Sequence, residues 1–265
     1  MITSSQNPKI RLVQSLLTQR KAREEAGVFV IEGVRLCEEA AAARVSPQLV
    51  IHSADVSARG RRLLEQFAHR GGDIEEVPAG LLASISDTET TQGILAVVPV
   101  QGLPNPKQRT FTVIADEIRD PGNLGSLIRS AAAAGVDEFF VTPGTADPYA
   151  PKVVRSGMGA HFHLPIRGRS WAHIQADVAA SDAGRTRLIL LADMAGVPMW
   201  DMNLTQPLAL IIGGEAEGAS EGAHRLATGR ISIPMPGGSE SLNAGVAGAI
   251  LLFEIVRQRL RSSRG

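Results

Sequence analysis

The sequence predicts an α/β protein built from two successive α/β domains. Three observations predict it. Short β-branched runs alternate with amphipathic helical stretches along nearly the whole chain. A proline-rich stretch without apolar periodicity, "PVQGLPNPKQR" (99–109), interrupts the alternation once. Beyond it, "TFTVIAD" (110–116) is almost continuously apolar, as in a parallel sheet buried on both faces.

The elements follow in order. "NPKIRLVQSLLTQRKARE" places Ile10, Val13, Leu16 and Leu17 at helical spacing, with Asn7 and Pro8 as cap and first turn. "VFVI" (28–31) reads as a strand, 33–43 as a helix, "QLVIH" (48–52) as a strand and 57–70 as a second amphipathic helix. Strands at 72–77 and 93–98 complete a domain over residues 1–98. Residues 99–109 read as an interdomain linker, or as a long surface loop. A second domain then spans 110–265. It has strands at 110–116, 138–142, 162–166, 187–193, 208–214 and 229–235. Its helices fall at 122–135, 151–159, 171–184 and from Leu242 to Leu260. The last helix is apolar nearly all round, which suits a core or a subunit interface.

Composition narrows the function. The chain has 265 residues, is 44% hydrophobic and carries no formal net charge, so overall charge does not draw it to nucleic acid. The charge is uneven, however. Lys9, Arg11, Arg20, Lys21 and Arg23 fall before any acid. They form a basic N-terminal element or a solvated helix face. One cysteine, Cys37, rules out an internal disulfide and fits a reducing compartment. No apolar run reaches the roughly 18–20 residues that cross a bilayer, and no signal-like segment opens the chain. A cytoplasmic protein that makes no use of a membrane is expected.

Three stretches share one design, a strand followed by a turn rich in glycine and polar groups. They are Asp116–Arg129, "IIGGEAEGAS" (211–220) and "ISIPMPGGSESLNAGVAG" (231–248). In open α/β sheets ligands bind beyond the carboxyl ends of strands, so three such turns can share one site. Glycine there lets backbone approach a ligand, though each alone reads as a turn glycine. The dinucleotide and P-loop fingerprints and the hydrolase elbow are absent. "HFH" (161–163) lacks partners at ligand spacing, so no metal is expected.

Together the three turns resemble the three motifs of the SpoU (TrmH-like) family of RNA ribose 2′-O-methyltransferases. "NLGSLIRSAAAAGV" resembles the first, with Asn123, Gly125 and Arg129 in register, and "IIGGEAEG" the second, with Glu215. "ISIPMPGGSESLNAGVAGAILLFE" resembles the third, with Ser241 and Asn243, and "RSGMGA" (155–160) matches a stretch between them. Residues from "SSQNPKIRLVQSLL" to "GVRLCEEA" resemble the ribosomal-protein-like RNA-binding domain that often precedes this catalytic domain. The chain departs from the family at Ala244 and Gly245, where a larger or hydroxyl residue is usual, and carries a second acid, Glu217.

The resemblance implies a SPOUT-type α/β sheet with a C-terminal trefoil knot, S-adenosylmethionine as methyl donor, and a homodimer. It implies cofactor contacts at Ala192, Gly213, Gly214, Ile233, Met235, Leu242 and Asn243, with Gly213, Ile233 and Leu242 meeting the cofactor through backbone. It places Arg129, Asn123, Glu215, Ser241 and Asn243 in catalysis. Arg129 either removes the ribose proton or grips phosphate and steadies developing charge; a guanidinium protonated above pH 12 favours the second role. Ser241 is a helix cap or a site residue. Structured RNA is the expected partner, rRNA before tRNA. Lys9, Arg11, Arg20, Lys21, Arg23 and Arg35 would hold it, with Arg119 and Arg155 as further phosphate contacts. A non-catalytic RNA-binding protein of the same fold is the reading from another class.

Overall fold

The computed structural model describes all residues except 89, 101, 105, 107–108, 181–187, 215–217, 239–240 and 263–265. The chain divides into two compact units, Met1–Gly102 with Tyr149–Phe162, and Leu103–Pro148 with His163–Gly265.

The first unit opens with α1 (Pro8–Thr18), α2 (Arg20–Ala26), β1 (Val28–Glu32), α3 (Val34–Ala42) and β2 (Leu49–His52). It continues through α4 (Ala58–His69), β3 (Asp73–Glu76), α5 (Ala79–Ile85) and β4 (Ile94–Pro99). The strands lie in the order β1-β4-β2-β3, with only the β2–β3 pair parallel. Alternation along the strands builds two cores. Phe29, Ile31 and Val50 pack with residues of α3 and α4 on one face. Val28, Val30 and Ile51 pack with residues of α1 and α5 on the other. The helix expected from Pro8 onward breaks at Gln19, whose backbone is extended. The Arg23 side chain turns back and donates to the Leu16 carbonyl, which satisfies the end of α1.

The second unit begins with β5 (Phe111–Asp116), α6 (Pro121–Ala133) and β6 (Glu138–Val141). The chain then returns to the first unit as α7 (Pro151–Gly157), where Val154 and Phe162 join the core around Phe29. A division by sequence at 98 and 110 assigns this segment to the second domain; burial of its apolar side chains assigns it to the first unit. The strand expected at 162–166 is not formed. Ala160–Phe162 is a 3-10 turn with Phe162 drawn into that core, and β7 is Ile166–Gly168.

The second unit continues with α8 (Trp171–Ala180), β8 (Leu188–Pro198), β9 (Leu208–Gly213), α9 (Glu221–Leu226), β10 (Gly229–Ser232) and α10 (Ala244–Ser262). Its six strands run in the order β10-β8-β9-β5-β6-β7, every pair parallel. Ile114, Phe140, Leu191 and Ile211 bury one face against Ile174 and Val178 of α8 and Ala223 of α9. Helices α6 and α10 pack together, with Leu127 occupying the space a side chain at Gly248 would take. No described helix is long and apolar enough to cross a membrane.

Candidate cofactor cavity and active site

Because β8, β9 and β5 are parallel neighbours, their carboxyl ends lie along one edge of the sheet. The turn from β5 to α6, the turn from β9 to α9 and the segment from β10 to α10 leave from that edge. They enclose a cavity of about 570 Å³. Ile212, Ile231 and Leu251 give it apolar wall; Asn123, Asp193, Ser241 and Asn243 give it polar groups.

Local chemistry sets each wall. Asp120 accepts the Asn123 N–H at 2.8 Å and so starts α6, with Pro121 in its first turn. Asn243 performs the matching task at α10, accepting the Val246 N–H at 3.2 Å, and its amide donates to Asn123 Oδ1 at 2.7 Å. One side chain thus caps a helix and joins two motifs. The cap is Asn243, not Ser241, which lines the cavity. Gly245 lets α10 close on α6: a Cβ there would lie 3.1 Å from the Asn123 carbonyl oxygen. The small residue that departs from the family pattern therefore has a packing reason.

Of a fourth wall, sequence reasoning named only Ala192. Arg230 and Ile231 are consecutive in β10, yet they pair with Leu191 and Val197 of β8. Residues 192–196 loop out between them, and Ala192, Asp193 and Met194 face the cavity. Asp193 holds the detour by accepting the Ala195 N–H at 2.8 Å and pairing with Arg230 at 3.4 Å. Gly196 closes it, since a Cβ there would sit 2.6 Å from the Ile231 nitrogen.

All seven positions named as cofactor contacts line this cavity, as do Asn123 and Ser241. Arg129 lies on α6, exposed and without an ion pair among the described residues, and does not line the cavity. Glu215 and Glu217 lie outside the described residues. Sequence reasoning missed Asp193, Met194, Ala219 and His224, which also line it. The unused run "ADMAG" after an apolar strand was the available signal for the first two.

The basic residues divide. Arg23 is buried at 6% exposure, so its guanidinium is not open to phosphate. Lys9 pairs with Asp73 and Glu75, Arg20 with Glu24, Lys21 with Glu25, Arg119 with Glu117, and Arg155 with Asp87. Arg11 is exposed and donates to Gln6. Arg35 is exposed with no ion pair among the described residues. His161 is buried against the Phe29 and Tyr149 rings, and no group of three or more metal-ligating side chains occurs among the described residues.

Comparison with known proteins bears on the same residues. The model of the SpoU rRNA Methylase family matches residues 110–253, over half the chain. The chain belongs to the SpoU rRNA methylase family. A model of the MRM3-like substrate binding domain matches residues 7–96. Among similar SpoU-type proteins is the 23S rRNA (uridine(2479)-2′-O)-methyltransferase of Streptomyces viridochromogenes. It is 34% identical over 97% of this chain and 92% of its own length. The 23S rRNA (guanosine(2553)-2′-O)-methyltransferase RlmP of Bacillus subtilis is 30% identical over 96% and 98%. A crystal structure of the SpoU methyltransferase AviRb from Streptomyces viridochromogenes with AdoMet superposes with a TM-score of 0.85. It is 32% identical and covers 96% of this chain and 100% of that one. A TrmH/SpoU tRNA-modifying enzyme of A. aeolicus covers 59% of this chain and 78% of its own, with 26% identity and a TM-score of 0.51.

The family's cofactor, S-adenosylmethionine, can be tested against the cavity itself. About 570 Å³ lies in the usual range for a cofactor site. Isoleucine and leucine walls suit an adenine face, glycine turns expose backbone to its edges, and the Asn and Ser side chains suit an amino-acid moiety. The residues present fit the group.

Proposed function

We propose that this protein transfers the methyl group of S-adenosylmethionine to a ribose 2′-hydroxyl of structured RNA, with 23S rRNA as the substrate. The observation that carries this reading is the convergence of three separated motifs, at 123, 213–214 and 241–243, on one cavity. Similarity to 23S rRNA enzymes over nearly the full chain supports rRNA over tRNA.

The bound cofactor supplies a methyl group already activated on a sulfonium. The protein's remaining task is the acceptor hydroxyl, a poor nucleophile until its proton is drawn off. The Arg129 guanidinium, exposed and free of ion pairs among the described residues, suits gripping the target phosphate and steadying charge on the ribose oxygen. Asn123, held by Asn243, orients that end of α6. Glu215 is assigned a supporting acceptor role from the motif alone. In the first unit Arg11 and Arg35 are the readiest RNA contacts; Lys9, Arg20, Lys21 and Arg155 would have to exchange an acidic partner for phosphate, as would Arg119 in the second unit.

Two further features belong to this reading. The C-terminal part is threaded as the trefoil knot of the family, in keeping with a cavity walled by residues 192–194, 213–214, 218–219, 231–233, 235 and 241–244. The protein is a homodimer through α10. Val246, Phe253 and Leu260 stand 48%, 49% and 55% exposed at seven-residue spacing along one side of that helix.

The test is methyl incorporation from labelled S-adenosylmethionine into rRNA and tRNA, with the position mapped by resistance to alkaline cleavage. Arg129→Ala should bind cofactor normally by calorimetry and lose incorporation. Undiminished incorporation refutes the assigned role. Binding without incorporation by the wild type, into any RNA, would favour a non-catalytic RNA-binding protein.

A further inference from the structure

Asp116 ends β5 and is fully buried. Its carboxylate is bonded three times. Oδ2 accepts the backbone N–H of Ser220 at 2.7 Å, and Oδ1 accepts the hydroxyls of Ser220 and Thr142, each at 3.1 Å. Ser220 lies 104 residues further along the chain. It closes the turn that leaves β9, in which Gly213, Gly214, Gly218 and Ala219 line the cavity. The same serine caps α9 by accepting the Ala223 N–H at 3.3 Å, and α9 carries His224, another lining residue. At the near end of that turn, a Cβ on Gly214 would sit 2.6 Å from the Glu117 carbonyl oxygen. Asp116 and Glu117 therefore hold both ends of one wall.

Gly213, Gly214 and Gly218 are among the residues of that wall. Three glycines give its backbone more freedom than any other residues would. A backbone that reads a nucleoside through its N–H and C=O groups must be held in place beforehand. A buried carboxylate is costly unless donors satisfy it. Two of the three donors come from the wall itself and one from the β6 side, so the buried carboxyl is satisfied in full only when the wall is in place.

We propose that Asp116 is a positioning residue for cofactor binding: through Ser220 it fixes the β9–α9 wall in the shape that S-adenosylmethionine meets. This rests on the assignment of the cavity to that cofactor. An asparagine at 116 keeps size and shape, but it cannot offer acceptors to the Ser220 N–H, the Ser220 hydroxyl and the Thr142 hydroxyl together.

The experiment is calorimetric titration of the full-length protein with S-adenosylmethionine, beside thermal unfolding. The variants are Asp116→Asn, Ser220→Ala, both together, and Ile174→Val as a buried control that shares a core cluster with Ala223 of α9 but makes none of these bonds. Asp116→Asn should weaken binding about tenfold, and Ser220→Ala about threefold. The double variant should be no weaker than Asp116→Asn, because both act through one link. Ile174→Val should lower Tm and leave Kd within about twofold of the wild type. Loss of Tm without loss of affinity in Asp116→Asn, or an equal loss of affinity in Ile174→Val, overturns the proposal. If Asp116→Asn does not fold, Ser220→Ala against Ile174→Val decides the matter by the same criterion. Failure of the wild type to bind overturns the cavity assignment and this proposal with it; wild-type binding with unchanged variants overturns this proposal alone.

Discussion

Gly214→Ala should cost the protein its cofactor through steric pressure alone. A Cβ at 214 would lie 2.6 Å from the Glu117 carbonyl oxygen, where ordinary contact begins at 3.4 Å, so about 0.8 Å must be found. The opposing atom is backbone, not the end of a flexible side chain. It is also poorly placed to retreat. Glu117 holds a positive φ of 53°, and its N–H donates to Thr142 at 3.2 Å. The alanine must therefore displace the backbone at position 214, which lines the cavity. Overpacking of this kind costs about 1–3 kcal/mol. If that strain is relieved only when the turn leaves its cofactor-binding shape, the cofactor Kd rises about fivefold to 150-fold. Titration calorimetry with S-adenosylmethionine reads this directly, with filter binding to rRNA as a control that should not move. A Kd within about twofold of the wild type would refute the claim that close contact at Gly214 sets the wall.

Other consequences can be checked together. Asn243→Ala removes both the cap on Val246 and the bond to Asn123, and should lower stability by about 2 kcal/mol in chemical unfolding with a larger proportional loss of methyl transfer. Burial pushes the Cys37 thiol up to about 12, so the native protein should react slowly with a colorimetric thiol reagent and promptly once denatured. The hydrogen bond from Arg257 holds the Glu254 carboxyl below its ordinary value, aided by Gln258. Its contribution, on the order of 1 kcal/mol, is present above the ordinary value of 4.5 and lost as pH falls through the lowered one. Melting curves of Glu254→Gln and wild type should differ at pH 7 and converge in acid. On the proposed homodimer, Phe253→Glu should give a folded monomer by light scattering where the wild type gives a dimer.

Much of the site was legible because it is built from local signals. Glycine turns at strand ends, a proline at the start of α6 and small residues entering α10 are choices that neighbouring backbone makes, and they read out within a few residues. Two short helices, α5 and α9, were missed since six or seven residues show too little of a 3.6-residue period. Arg23 was misread because charge alone cannot tell an arginine that faces solvent from one that closes a helix end.

By itself the sequence determined the alternation of strands and helices, the parallel character of the second sheet and the three turns that meet at its edge. Only the tertiary structure decided what depends on segments far apart in the chain. The five-residue detour of β8 arises from pairing with β10, not from any propensity at 192–196. Residues 149–162 return to the first unit because its core offers Val154 and Phe162 a place among Phe29 and its neighbours. The bond between Asp116 and Ser220 spans 104 residues. Local preferences are worth tenths of a kcal/mol per residue, while burying a side chain or satisfying a buried carboxylate is worth roughly one to three, so long-range partners decide wherever the two compete.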